Sequence, residues 1–376
     1  MKVRNLLAVC AVVALTAPGA FAAITSGVHI YTTDDYYGGG GRCCGSLKVS
    51  NDIGGGAAPV LYQTGVASAG GGIAGTDNMF GPYIMNFVNG GVGAIGNSRL
   101  GGGAFNANVV APYGVGGSGA GTDTYLVDSR FDGTLTNLAG FSQISGNNIY
   151  ASDNRGSSAS ELRSYKSDGS FGAVVVATGT NSLSNVVGDV ETVKVGASRF
   201  IAVAEAKGSD PKISIWRVDG HNPATKLSEV VTLATTSTNT DSTPRIVATH
   251  NKVYALQQGA GVQPQVQAYT VDAAGNITED ANSPLVPRPS PNLGQARDIH
   301  INPLNGRIAI WGFSGAGPDG EVREFSPNTG DFKGLLAGPT TSPRGTGSQF
   351  IITPEPATLG LMVIGSLCML RRRRRA

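Results

Sequence analysis

Four segments in the second half of the chain share one pattern, and that pattern restricts the fold more than any other feature. Each has an apolar strand, a polar loop, a second strand ending in an aromatic, and a turn rich in Asp, Asn and Gly. The apolar strands are 149–151, 200–204, 253–256 and 308–311, and the aromatic-ended strands are 161–165, 212–216, 265–269 and 321–325. The aromatics Tyr165, Trp216, Tyr269 and Phe325 are 51, 53 and 56 residues apart, and three residues before each stands Leu162, Ile213, Val266 or Val322. An earlier strand precedes each pair, at 141–145, 190–195, 245–249 and 298–302. A fourth follows the turn, at 171–177, 227–233 and 332–336. Four strands repeating at about fifty residues are the mark of an all-β propeller, in which each unit is one blade. The aromatics then pack between neighbouring blades.

Composition agrees. Only 14% of residues are charged and 55 of 376 are glycine, with no convincing stretch of helical amphipathic period. Residues 38–121 hold 26 glycines in 84 positions. Glycine runs lose much entropy on ordering, so this region reads either as flexible low complexity or, as favoured here, as strands joined by glycine-rich loops. Apolar pieces at 59–62 and 83–88, a strand at 47–50, and a hairpin at 121–128 with its turn at 131–133 supply further blades. Six or seven blades fit the length, seven being favoured. A pair of β-sandwiches is the second reading, and the regular four-strand unit argues against it. The four repeats resemble generic lactonase-like or YVTN-type propellers, a likeness of architecture over roughly half the chain.

Both ends carry addresses. Lys2 and Arg4 precede an apolar stretch at 6–15, and Ala20-Phe21-Ala22 offers small residues around a cleavage site between Ala22 and Ala23, as in a signal peptide. At the other end Pro354, Glu355 and Pro356 fix an extended segment. An uncharged run follows at 357–370, as a helix about 20 Å long, and then come Arg371, Arg372, Arg373, Arg374 and Arg375. That length is short for a bilayer, and the arginines remain on the cytoplasmic side. These three parts, in order, resemble the PEP-CTERM sorting signal of Gram-negative bacteria. The resemblance implies an exosortase-type membrane enzyme as partner, a transient C-terminal membrane helix, and delivery to the cell surface or exopolysaccharide matrix. The expected organisation is a signal peptide at 1–22, a propeller body at 23–352 (glycine-rich blades at 23–121, regular blades at 122–352) and the sorting signal at 353–376.

Removing these addresses changes the charge. The whole chain carries 28 basic and 26 acidic residues; without Lys2, Arg4 and the five terminal arginines, 21 basic residues face 26 acidic ones, a net charge of −5. No basic patch suggests a nucleic-acid partner. Cys43 and Cys44 are the only cysteines of the body. A vicinal disulfide, two thiols and a crosslink to another molecule all remain open, and two adjacent cysteines are too few for a zinc site.

No HExxH, Gly-x-Ser-x-Gly or EF-hand pattern is present, nor a phosphate loop. No cofactor and no catalytic residue is expected. By strand register, Asp189, Glu191, Arg245, Arg297 and Asp298 fall on innermost strands and form the candidate site at the channel mouth, with polar channel filling as the plain alternative. His221 reads as a solvated turn residue, His250 as another turn residue, and His300 as facing away from Ile299 and Ile301. The expected function is a non-catalytic surface or matrix protein that binds exopolysaccharide or an envelope protein. A secreted hydrolase or lyase acting on a polysaccharide or lactone is the alternative.

Overall fold

The computed structural model describes the backbone of the strands between 27 and 127 and most of 138–353, and side chains between 142 and 336. The strands, in chain order, are β1 (Gly27–Asp34), β2 (Tyr37–Gly38), β3 (Gly41–Arg42), β4 (Ser46–Ser50), β5 (Val60–Gln63), β6 (Thr76–Asn86), β7 (Val92–Leu100), β8 (Phe105–Tyr113) and β9 (Leu126–Val127). The regular repeats supply β10 (Leu138–Gln143), β11 (Ile149–Asn154), β12 (Ser160–Tyr165), β13 (Phe171–Val176), β14 (Val186–Val195), β15 (Ser198–Lys207), β16 (Asp210–Arg217) and β17 (Thr225–Val231). They continue with β18 (Arg245–Thr249), β19 (Lys252–Gly259), β20 (Val262–Val271), β21 (Ile277–Glu279), β22 (Gln295–Ile301), β23 (Ile308–Phe313), β24 (Glu321–Phe325), β25 (Phe332–Ala337) and β26 (Gly345–Thr353).

Among the described residues these strands form six antiparallel four-stranded sheets and the small hairpin β2–β3. Five sheets take four consecutive strands. The sixth has the order β26-β1-β4-β5, so the end of the chain supplies the innermost strand of the first blade. The innermost strands β6, β10, β14, β18, β22 and β26 adjoin one another in that order, and β26 returns to β6, which closes a ring. Of the two blade numbers the sequence allows, six is the number of four-stranded sheets among the described residues. Within the segment 121–128 the described residues are β9, the outer strand of the β6-β7-β8-β9 sheet; the rest of the expected hairpin lies outside the described residues. The two terminal signals lie outside the described residues.

Apolar alternation explains the packing. Trp216 joins Tyr150, Leu162 and Val190 between the first and second repeat sheets, β10–β13 and β14–β17. Tyr269 joins Val193, Phe200 and Ile213 across the next interface. Phe325 joins Tyr254, Leu256 and Val266 across the one after. Trp216, Tyr269, Phe325 and Tyr165 are at most 2% exposed. Turns are latched to the preceding blade: the Tyr150 hydroxyl donates to the Gly220 carbonyl at 2.9 Å, and the Tyr254 hydroxyl to that of Pro327 at 3.2 Å. The turn glycine Gly330 has φ 71°, and a Cβ there would lie 1.8 Å from the Leu285 carbonyl oxygen, so only glycine permits this approach.

Candidate functional site

The pairing register aligns each innermost strand with the repeat. Leu162, Ile213, Val266 and Val322 pair through the second strand, at Ser152, Ala204, Leu256 and Trp311, to Gly140, Asp189, Arg245 and Asp298. These four positions share one level around the ring. In three of the strands a register shift falls just before that level, between Leu138 and Gly140, Val187 and Asp189, and Ala296 and Asp298. Such bulges re-aim side chains. One step further along β14 and β22 on the same face lie Glu191 and His300.

The aspartates are held alike. The Asp189 carboxylate accepts the N–H of Val190 at 2.9 Å and that of Ile246, on the next blade, at 3.0 Å. Asp298 accepts the N–H of Ile299 at 3.0 Å, and its other oxygen meets His300 Nε2 at 3.0 Å. Both aspartates are buried, at 6% and 8% exposure, while Glu191, Arg245 and His300 are half-buried.

The structure thus brings together four of the five residues expected from register: Asp189, Glu191, Arg245 and Asp298. Arg297 is the bulged residue of β22, and its side chain lies outside the described ones. His300 was legible only as facing away from two core isoleucines; the structure makes it the partner of Asp298. His221 is not the solvated turn residue expected. It stands over Gly172, where a Cβ would lie 2.1 Å from Nδ1, and meets Ser164 Oγ at 2.8 Å. Ser164 Oγ also lies 3.2 Å from the Ala173 carbonyl oxygen, a second acceptor for its hydroxyl. His250 occupies its turn with φ 50°. Cys43 and Cys44, the Ala22–Ala23 junction, Pro354, Glu355, Pro356 and the terminal arginines lie outside the described residues.

The electrostatics of the cluster follow from burial and like charge. Asp189 is pushed up to about 6: burial raises it, Arg245 opposes, Asp298 adds to the rise, and the Ile246 and Val190 N–H groups oppose. Glu191 is raised well above the ordinary glutamate value by burial, then by Asp189 and Asp298. For His300 burial is the largest influence and lowers it, but the charge and hydrogen bond of Asp298, with help from Asp189, carry it upward overall. Among the described residues no three His, Cys, Asp or Glu side chains converge at metal-binding distance.

A pH dependence follows. The folded values of Asp189, Glu191 and His300 lie above the unfolded ones, so each contributes stability that is present at low pH and lost as pH rises through its folded value. For Asp189 the window runs from about 4 to about 6 and corresponds to about 3 kcal/mol. Glu229, held at about 2 by Lys226 and then Lys212, acts oppositely and loses its contribution only in stronger acid. The body is therefore expected to melt highest near pH 5 and lower near pH 8. Replacing Glu191→Gln is expected to raise the melting temperature near pH 8 and to change it little near pH 4. Thermal unfolding followed by circular dichroism across this range checks both.

The comparisons bear on the tail and on the fold separately. A PEP-CTERM protein-sorting motif matches residues 353–375. The chain carries a PEP-CTERM sorting signal. It is therefore an exported protein with a C-terminal membrane anchor that an exosortase cleaves. No curated protein matches the sequence. Among solved structures, a Lactobacillus plantarum protein is 12% identical with a TM-score of 0.40, over 87% of this chain and 100% of that one. The periplasmic gluconolactonase of Pseudomonas aeruginosa is 11% identical with a TM-score of 0.46, over 88% and 100%. A Bombyx mori GH32 β-fructofuranosidase is 11% identical with a TM-score of 0.40, over 83% and 60%. Among the described residues no helix is long and apolar enough to cross a membrane.

Proposed function

We propose that the mature body is a non-catalytic binding protein of the cell envelope or exopolysaccharide matrix, and that it holds its ligand at the channel end formed by Asp189, Glu191, Arg245, Asp298 and His300. The observation that supports this reading is the placement of charged side chains on three successive innermost strands, at one end of a closed ring. Carboxylates, a guanidinium and an imidazole offer acceptors and donors within a short span. This mixture suits a hydroxyl-rich polymer end better than an apolar ligand. In this reading the mature chain runs from Ala23 and is attached to the surface or matrix, a destination that the sorting signal supports.

Calorimetric titration of the purified body with the exopolysaccharide of the producing cell tests the proposal. Saturable binding that falls at least tenfold, about 1.4 kcal/mol, in Arg245→Ala is the expected result. Absence of binding to that polymer and to a broad glycan array would count against it.

A second reading has one observation in its favour. Glu191 is held toward its protonated form by burial and by the neighbouring Asp189 and Asp298, and a carboxyl kept protonated by its surroundings is suited to act as a general acid. Turnover of a lactone or polysaccharide by the body, lost in Glu191→Gln, would establish this reading in place of the first.

A further inference from the structure

Strand order places both ends of the body at one face of the ring. The innermost strands run from the Asp189–Arg245–Asp298 level toward the hairpin turns: Asp189 precedes the Gly196 turn, and Asp298 precedes the Asn302–Gly306 turn. At that end the Lys194 N–H donates to the His250 carbonyl at 3.2 Å, joining the turns of neighbouring blades. In the first blade the same direction puts Gly345 at the level of the cluster and Thr353 at the turn face. Thr353 pairs with Gly27, so the exported N-terminus starts there as well.

No spacer separates the ring from its sorting signal. The β1–β26 pairing continues to Thr353, and Pro354 follows. Only Pro354, Glu355 and Pro356 lie before the apolar run begins at Ala357. From Thr353 to Ala357 is four residue steps, at most about 14 Å when fully extended. A four-stranded blade measures about 14 Å from first to last strand, from three gaps of about 4.8 Å. The tether joins the ring at an innermost strand, and it reaches no farther than the backbone of one blade, before the side chains and turns of the outer strand are added. A ring so held cannot stand on edge without clashing with the bilayer.

We infer that, before its tail is cleaved, the propeller lies with its turn face flat against the membrane surface and presents the Asp189–Arg245–Asp298 end of the channel outward. This inference rests on the C-terminal anchor of the sorting signal. Charge on the turn face agrees with a bilayer as the occupant. Lys166, Lys194, Arg199 and Arg217 are exposed at the turn ends of their strands. The acids there are engaged within their own turns: Asp219 with Asn222, Asp272 with the Ala274 and Asn276 N–H groups, and Asp331 with Thr329 and Lys333. Basic groups beside anionic lipid are favourable.

The orientation is tested by thiol accessibility in the anchored full chain. Glu355→Ala preserves the anchor, and Cys43→Ser, Cys44→Ser and Cys368→Ser remove other thiols. Into this background Ser198→Cys places a probe at the turn face, and Thr178→Cys, beyond the end of β13, places one at the opposite face. Both positions are exposed. With a polymer-linked, membrane-impermeant maleimide on spheroplasts, the Thr178→Cys chain is expected to react several-fold faster than the Ser198→Cys chain. A long Gly/Ser linker inserted after Thr353 is expected to abolish the difference. Equal rates in the membrane-bound chain without the linker would overturn the orientation alone. A chain absent from the membrane fraction would overturn the anchoring reading and the orientation with it.

Discussion

Truncation of the mature body after residue 344 is expected to abolish its cooperative thermal transition, whereas truncation after Thr353 leaves that transition unchanged. The nine residues of β26 decide this. They pair with β1 at eight register positions and complete the first blade. They also lie beside β22 and β6, the innermost strands of the two flanking blades. Without them the ring opens, β1 becomes an edge with unpaired backbone groups, and the faces of two neighbouring blades lose cover. The loss is comparable with the whole stability of a domain, about 5 to 15 kcal/mol. Differential scanning calorimetry of the two truncated chains, both lacking the sorting signal, checks the expectation. A sharp transition in the shorter chain would show that closure does not depend on β26.

Trp216→Ala is expected to destabilise the body by about 4 kcal/mol, within the range for removing a buried large aromatic. Trp216 is 2% exposed and fills the interface between the β10–β13 and β14–β17 sheets, against Tyr150 and Leu162. Its indole N–H donates to Ser214 Oγ at 2.8 Å, and the Ser214 hydroxyl in turn donates to buried Glu205. The substitution removes apolar contact and one donor from a buried chain of hydrogen bonds. Val231→Ser is the contrasting case: Val231 is 61% exposed on the outer strand β17, and a change within about 0.5 kcal/mol is expected. Denaturant titration of the two variants measures both.

Much of this fold is legible in the sequence because the repeat combines two periods. Leu162, Ile213, Val266 and Val322 mark one level of the third strands, and the aromatic three residues later marks the turn end. Counting back across the antiparallel register from these markers leads to Asp189, Arg245 and Asp298. Closure was not legible in the same way. The closing strand β26 pairs with β1, which lies more than three hundred residues earlier, and no local signal names a partner at that separation. In the glycine-rich half, the pairing of β9 with β8 was not legible, because β9 is only two residues long and a glycine-rich stretch of sequence separates the two strands. His221 looked solvated because its turn is polar. Its burial arises from Gly172, whose missing side chain makes room for the imidazole. His300 was placed on the correct face by alternation, and Asp298, two residues earlier, shares that face; no sequence pattern signals the hydrogen bond between them.

The address and the cargo rest on different parts of the chain. The tail carries export and sorting, and its arginines account for the positive charge of the whole sequence. The body is an acidic ring with a charged cluster at one end of its channel. The boundary between them is abrupt, because the strand that closes the ring ends where the signal begins.

Fractionation of cells expressing the full chain beside a chain lacking 354–376, with the intact mass of the recovered body, tests the central claim most directly. The full chain is expected at the cell surface or in the matrix, starting at Ala23 and without Arg371 to Arg375, and the shortened chain is expected free and folded in the periplasm or medium. A shortened chain that remains attached to the surface, or a surface form that still carries the terminal arginines, would contradict the account.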